Sequence, residues 1–260
     1  KYRWWFGPKF NARISWFLFE CPNLIWVWYC YMYWHDPAIL FLDSEHHTII
    51  SKEETEGSHH LQISTNIILL SLFTIHYINR ALIYPLRMNC KSQKVPLVVT
   101  SFAGLITCFN GYLQSFFLVQ IKKYPPLSLS LNNNIQCWVG IALFFTGMHI
   151  NMHSDSVLRN LRRHGPSTEQ KRQNSTKDEH VYYIPQSPFF TYISCPNFSG
   201  EILEWFGFAV ASQFSLPSVA FFIYTCSNLI PRAIAHHEWY RRKFEDYPVE
   251  RKWAVIPFIV

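Results

Sequence analysis

The chain has 260 residues, a formal net charge of +6 and seven cysteines. Aromatic residues make up 18% and charged residues only 15%, where an ordinary soluble domain has about a quarter charged. That excludes a typical soluble fold. Nucleic acid is also a poor account of the positive charge, because the basic residues flank long uncharged windows.

Four windows lack Lys, Arg, Asp and Glu: Leu61 to Asn79, Val95 to Ile121, Tyr124 to Ser154 and Trp205 to Pro231. A spanning helix takes ~20 mostly apolar residues, so the expected fold is all-α, a polytopic transmembrane helix bundle. The cysteines show no CxxC and no paired spacing, which reads as neither a disulfide framework nor a zinc site. No signal peptide is visible from Lys1 onward.

Lys1 to Arg13 is basic and aromatic, with a turn at Gly7-Pro8. Between Arg13 and Asp36 the only formal charge is Glu20. A carboxylate inside a span is costly and marks a functional interior by default; the alternative is a glutamate near the interface, snorkelling. Pro22 is expected to bend that helix. Residues 36–60 read as a polar, acidic, lumenal loop. In the span from Leu61 to Tyr84, His76 and Arg80 stand four apart, and Tyr77, Arg80 and Tyr84 line a neighbouring face. The connector to Lys94 is basic. The next span carries Asn110-Gly111-Tyr112-Leu113-Gln114; amides at mid-depth pair with a neighbouring helix more often than they bind a ligand.

A span from Ile135 to Ser154 leads into GMHINMHSDSVLRNLRR, Gly147 to Arg163. On one helix Asn151, Asp155, Arg159 and Arg162 share a stripe about 80° wide, with His149 and His153 opposite. Such a stripe either holds a phosphorylated ligand or anchors the helix at the membrane boundary. Residues 165–181 read as a flexible cytoplasmic insert without chemistry; the sequon Asn174-Ser175-Thr176 sits in basic surroundings that argue for the non-glycosylated side. Pro217 is expected to split the last apolar block into two shorter helices, and the tail from Arg232 is basic. With that block as a hairpin, every basic segment falls on the cytoplasmic side and the acidic loop on the other. About six spans result.

Two further polar sets fall on the cytoplasmic side. Arg232, His236 and Tyr240 stand at i, i+4 and i+8, and Asn197 and Glu201 are four apart. Guanidinium for phosphate and carboxylate for ribose hydroxyl are what a dinucleotide needs. Juxtamembrane salt bridging is the favoured account of any one set, and only the three sets on one face bring a nucleotide site level with it. With only 9 glycines and no Gly-rich strand–turn–helix fingerprint, a nucleotide site here is not of the Rossmann kind. The pairs His46/His47, His59/His60, His149/His153 and His236/His237 lack a third ligand at a recognisable spacing, so no metal is expected.

In this order, WFLFECP, HYINRALIYP, NGYLQS, GMHINMHSDSVLRNLRR, YYIPQSPFFTYISCPNFSGEILEWFGFAVAS and PRAIAHHEWYRRKFEDYPVERK–IPF resemble the membrane steroid 5α-reductase family over nearly the whole chain. SCPN and YTCSNLIPRA look like plant-type members, HHEWYRRKFEDYP like animal ones. The resemblance implies a single membrane domain over 1–260, seven helices with the first before Lys1, a monomer, and an endoplasmic-reticulum location. It implies NADPH as cofactor and a 3-oxo-Δ4-steroid as substrate, with hydride going to C5 and a proton to C4. Glu20 and Tyr77 would bind and polarise the 3-carbonyl. Asn151, Asp155, Arg162, Asn197, Glu201, Arg232, His236 and Tyr240 would hold NADPH from the cytoplasmic side, and Arg159 is left to the boundary. There are departures: Phe19 stands where some members carry a polar residue, Tyr183 where a basic one is common, and Ser187-Pro188 where glycines usually follow. A polyprenol or trans-2-enoyl-CoA reductase, an isoprenylcysteine-type membrane methyltransferase and a non-catalytic lipid-binding protein are the competing readings.

Overall fold

The computed structural model describes residues 7–35, 64–88, 94–127, 131–164 and 182–259, with the side chains of 131–133 and 162–164 left aside. Residues 36–60, expected to form a lumenal loop, and residues 165–181 with the sequon lie outside the described residues. Six helices carry the fold: α1 (Ala12–Tyr33), α2 (Thr65–Arg87), α3 (Leu97–Ile121), α4 (Leu131–His164), α5 (Pro196–Ala211) and α6 (Leu216–Lys243). Four segments among them are long and apolar enough to cross a membrane: Thr65–Arg87, Leu97–Ile121, Asn134–Leu161 and Leu216–Lys243. The expected multi-pass helical bundle is what forms.

Local chemistry sets several boundaries. The Asn11 carboxamide accepts from Arg13 N at 2.9 Å and starts α1. A short antiparallel ribbon, β1 (Lys9–Asn11) with β2 (Lys94–Pro96), ties the starts of α1 and α3 together. Two helices change pitch: α2 passes into π-helix at Ile78–Ile83, directly after Tyr77, and α3 does so at Phe117–Ile121. Such wide turns leave carbonyls open, and Asn66 closes those at the end of α3. Its amide donates to Leu118 O (2.8 Å) and Lys122 O (2.6 Å), and its oxygen accepts from Tyr124 N (3.0 Å).

The last apolar block does form a hairpin, but the break precedes the proline expected to cause it. The chain turns over Ser212–Ser215, with Gln213 and Phe214 at φ 53° and 54°. Pro217 sits in the first turn of α6, where a missing N–H costs nothing. That helix does not end with the apolar block either; it runs 28 residues through Pro231 into the basic tail.

The chain forms two compact units, residues 1–139 with 210–218, and residues 140–209 with 219–260. In the first, polarity is inverted relative to a soluble protein. Along α3, Val98, Phe102, Leu105 and Phe109 are exposed, while Thr100, Asn110, Gln114 and Ser115 are buried. Along α1, Ile14, Leu18, Ile25 and Met32 face out, while Ser15, Glu20 and Asn23 face in. With lipid as solvent, apolar side chains gain nothing by turning inward and polar ones must find protein partners.

In the second unit, glycines set the helix spacing. A Cβ added at Gly200 would lie 2.6 Å from Gly147 O, and one at Gly207 would lie 2.7 Å from Gly140 O. Gly140 and Gly147 on α4 therefore face Gly207 and Gly200 on α5, and the backbones approach to a distance only glycine permits. An apolar core of Ile202, Leu229, Ala233, Ala254 and Val255 joins α5, α6 and the C-terminal segment. That segment docks through Ser194 N to Trp253 O (3.0 Å) and Cys195 N to Ala254 O (2.9 Å).

Candidate functional site

The two groups of residues singled out in the sequence fall in different units. Glu20 and Tyr77 are in the first, at 9% and 2% exposure. They sit on α1 and α2 and are joined through two asparagines. Asn23 Nδ2 donates to the Glu20 backbone oxygen at 3.3 Å. Asn110 Nδ2 donates to Asn23 Oδ1 at 3.2 Å and to the Tyr77 hydroxyl oxygen at 3.1 Å. Gln114 Nε2 in turn donates to Asn110 Oδ1 at 3.2 Å and to Pro217 O at 2.8 Å. The mid-depth amides of α3 thus pair with neighbouring helices, as their position in a span predicts.

Close packing supports this group. A Cβ at Gly111 would fall 2.7 Å from Asn23 Cα, so a glycine beside Asn110 is what lets α3 reach α1. Phe19, one of the departures, is held at its backbone oxygen by the Thr107 hydroxyl. Arg80, three residues after Tyr77, packs on aromatic rings. Its guanidinium lies 5.1 Å from the ring centroids of both Trp16 and Tyr84, and Trp16 Nε1 donates to Arg80 O at 3.1 Å.

The expected cofactor residues are in the second unit. Gly147 to Arg163 is helical throughout, as the stripe requires. Asn151 is buried and donates to Asn197 O at 2.9 Å and to Glu201 Oε2 at 3.4 Å. Asn197 Nδ2 donates to Asp155 Oδ1 at 3.1 Å. Two carboxylates and two amides from α4 and α5 therefore form one linked polar patch. Asn151 reaches Asn197 because Gly147 and Gly200 bring the helices together on either side of it. On α6, the exposed Arg232 carries its guanidinium 5.4 Å from the Phe198 ring centroid, and the His236 ring lies 6.1 Å from the same ring. Phe198 follows Asn197, so these two side chains adjoin the patch. Arg159 is half-buried on α4, and the side chain of Arg162 lies outside the described residues.

Tyr240, two turns beyond Arg232 on α6, also meets the C-terminal segment. It stacks on Tyr247 (5.7 Å, 19°) and Phe244 (5.9 Å, 23°), within a C-terminal cluster that sequence reasoning missed. There Ser194 Oγ lies 2.5 Å from His237 Nδ1 and 2.7 Å from the Tyr247 hydroxyl. Arg251, 5% exposed, donates to Pro185 O at 3.0 Å with its guanidinium 5.3 Å from the Tyr247 ring centroid. Burial pushes the Tyr247 phenol above its ordinary value, against the pull of the Ser194 hydrogen bond and of Arg251. Beside it is a cavity of about 350 Å³ lined by His237, Arg241, Glu245, Tyr247, Arg251 and Lys252, among others.

His149 and His153 pack around Phe189, at 6.2 and 5.3 Å between ring centroids. Among the described residues no three His, Cys, Asp or Glu side chains group as metal ligands. Ser187-Pro188 opens a 3-10 turn, Pro188–Phe190, that buries Phe190. The neighbour of Tyr183, Tyr182, packs edge-on against Trp239 at 4.9 Å. The missed glycines had a readable signal, since Gly140/Gly147 and Gly200/Gly207 are both spaced by seven. Asn23 had none beyond being one more amide inside a span.

The family model for 3-oxo-5-alpha-steroid 4-dehydrogenase matches residues 93–260. Curated relatives are similar over almost the whole chain. The rat protein 3-oxo-5-alpha-steroid 4-dehydrogenase 1 is 37% identical over 98% of this chain and 83% of its own length. The pig protein 3-oxo-5-alpha-steroid 4-dehydrogenase 2 is 42% identical over 96% and 82%. The Arabidopsis thaliana protein Steroid 5-alpha-reductase DET2 is 33% identical over 97% and 83%.

Proposed function

The chain belongs to the 3-oxo-5-alpha-steroid 4-dehydrogenase family, and on that footing we propose that it reduces the Δ4 double bond of 3-oxosteroids with NADPH in the endoplasmic-reticulum membrane. The observation that carries this reading is the buried phenol of Tyr77, joined through Asn110 and Asn23 to the helix that buries Glu20. Reduction of a conjugated enone at its β-carbon drives negative charge onto the carbonyl oxygen. Tyr77 donates a hydrogen bond to that oxygen, and Glu20, buried on the neighbouring helix, aligns the phenol. In a dry, low-dielectric interior such a preset donor stabilises the developing enolate far more than water does. C4 then takes up a proton.

The donor set of the second unit fits NADPH. The carboxylates of Asp155 and Glu201 suit ribose hydroxyls, the exposed guanidinium of Arg232 suits phosphate, and the amides of Asn151 and Asn197 hold those carboxylates in place. Arg162, His236 and Tyr240 complete the residues assigned to holding it. When bound, NADPH supplies the hydride that C5 receives.

The test is a panel assay. Purified protein in detergent or nanodiscs is offered NADPH with a 3-oxo-Δ4-steroid, a polyprenol or a trans-2-enoyl-CoA, and S-adenosylmethionine binding is measured in parallel. NADPH oxidation with the steroid, and a 5α-3-oxosteroid product, is expected. Oxidation with only one of the other lipids moves the activity elsewhere in the superfamily, and S-adenosylmethionine binding without NADPH binding refutes the reductase reading.

A further inference from the structure

The amide chain of the first unit has a direction, and that direction bears on which way the Tyr77 hydroxyl points. Side-chain amides are ambiguous by themselves, since oxygen and nitrogen can exchange places. Here backbone carbonyls remove the ambiguity at both ends. Pro217 O can only accept, so the group 2.8 Å from it must be the Gln114 nitrogen. The second N–H of that nitrogen then meets Asn110 Oδ1 at 3.2 Å. At the other end Glu20 O can only accept, which fixes the Asn23 nitrogen toward it and leaves Asn23 Oδ1 to face Asn110. Asn110 therefore presents its oxygen to Gln114 and its nitrogen to Asn23 and Tyr77. Its two N–H groups are both used, one on Asn23 Oδ1 and one on the Tyr77 hydroxyl oxygen.

A phenol has one proton to give and lone pairs to receive. With Asn110 giving to the oxygen, the phenolic proton has to leave along another direction. We infer that Asn110 is a positioning residue for the reaction: it holds Tyr77 with its O–H outgoing, as the donor a substrate carbonyl needs, and it strengthens that donor by withdrawing charge from the oxygen. The inference rests on the reading of Tyr77 given above. It also assigns work to residues around it. Gly111 permits the approach of Asn23, and Gln114 and Asn23 keep Asn110 from turning over. The whole chain is buried, so water cannot reorient it.

The experiment is a double-substitution cycle on the full-length protein. Asn110→Leu and Asn110→Ala are each made in the native and in the Tyr77→Phe background. Turnover with a 3-oxo-Δ4-steroid and the dissociation constant of NADPH are both measured. Loss of one such hydrogen bond corresponds to about tenfold in rate. The expected result is a tenfold or larger fall in kcat in the native background, NADPH affinity unchanged, and less than a twofold further fall once Tyr77 is already Phe. An equal fall in both backgrounds overturns the inference, because Asn110 then acts on the packing and not through the hydroxyl. So does native turnover in both Asn110 variants while Tyr77→Phe is inactive. Loss of NADPH binding in both variants makes Asn110 a folding residue and overturns it too. Native turnover in Tyr77→Phe itself is a different outcome, which removes the catalytic reading along with the inference.

Discussion

Gly200→Ala offers a direct test of how helix spacing serves the polar patch. The added Cβ would stand 2.5 Å from Asn151 N, 2.6 Å from Gly147 O and 3.0 Å from Asn151 Cα. Non-bonded heavy atoms settle at ~3.5 Å or more, and all three contacts are backbone, so no side chain can swing aside. Helices α4 and α5 must separate locally by roughly 1 Å. The bonds that cross between them are 2.9 Å from Asn151 to Asn197 and 3.1 Å from Asn197 to Asp155. Stretched to ~4 Å, both fall outside hydrogen-bonding range. Overpacking of this kind costs about 1–3 kcal/mol of stability, and displacement of binding groups by 1 Å costs up to ~100-fold in function. The expected outcome is a 10- to 100-fold rise in the NADPH dissociation constant, followed by fluorescence titration, with a lower thermal midpoint. Gly207→Ala is the control. Its Cβ would stand 2.4 Å from Phe144 N, so it destabilises comparably, but two turns away from Asn151 it should shift NADPH affinity by less. Unchanged affinity in Gly200→Ala, with or without a stability change, refutes the argument that this approach assembles the cofactor residues.

Glu20→Gln and Tyr77→Phe should lower turnover by two or more orders of magnitude with little change in NADPH affinity, whereas Arg232→Ala should mainly weaken NADPH; steady-state kinetics with cofactor titration checks the split. Arg251→Ala removes a buried guanidinium from the Tyr247 ring and from Pro185 O, and should cost about 2–4 kcal/mol by leaving a buried acceptor and a void, read as a lower melting temperature. Tyr247, ordinarily near 10.0, has its folded value raised by burial. Its contribution is fully present below pH ~10 and is lost as the pH rises through the folded value. The alkaline fall in stability should therefore be shallower in Tyr247→Phe, which thermal unfolding between about pH 9 and 11 would measure.

The sequence was readable wherever one physical rule acts alone. Uncharged windows set against a lipid solvent require helices, and the helices are there. Helical period places Asn151 above Asp155, and Asn197 sits one turn before Glu201; the cofactor candidates could thus be grouped before any tertiary contact was known. Even the hairpin before α6 was visible as Ser and Pro within an apolar block, although its exact turn was not, because proline is harmless in a first helical turn.

What the sequence left open depends on which helix lies against which. No rule of period or composition ties Asn23 to Asn110, 87 residues apart, or says that Gln114 meets Pro217 O. Tyr240 shares a helical face with Arg232 and His236, yet the C-terminal segment folds back and draws it into the cluster with Tyr247. The direction of the amide chain is the clearest case. Each amide taken alone is symmetric in its options, and only the two backbone carbonyls supplied by α1 and the start of α6 decide which atom faces Tyr77.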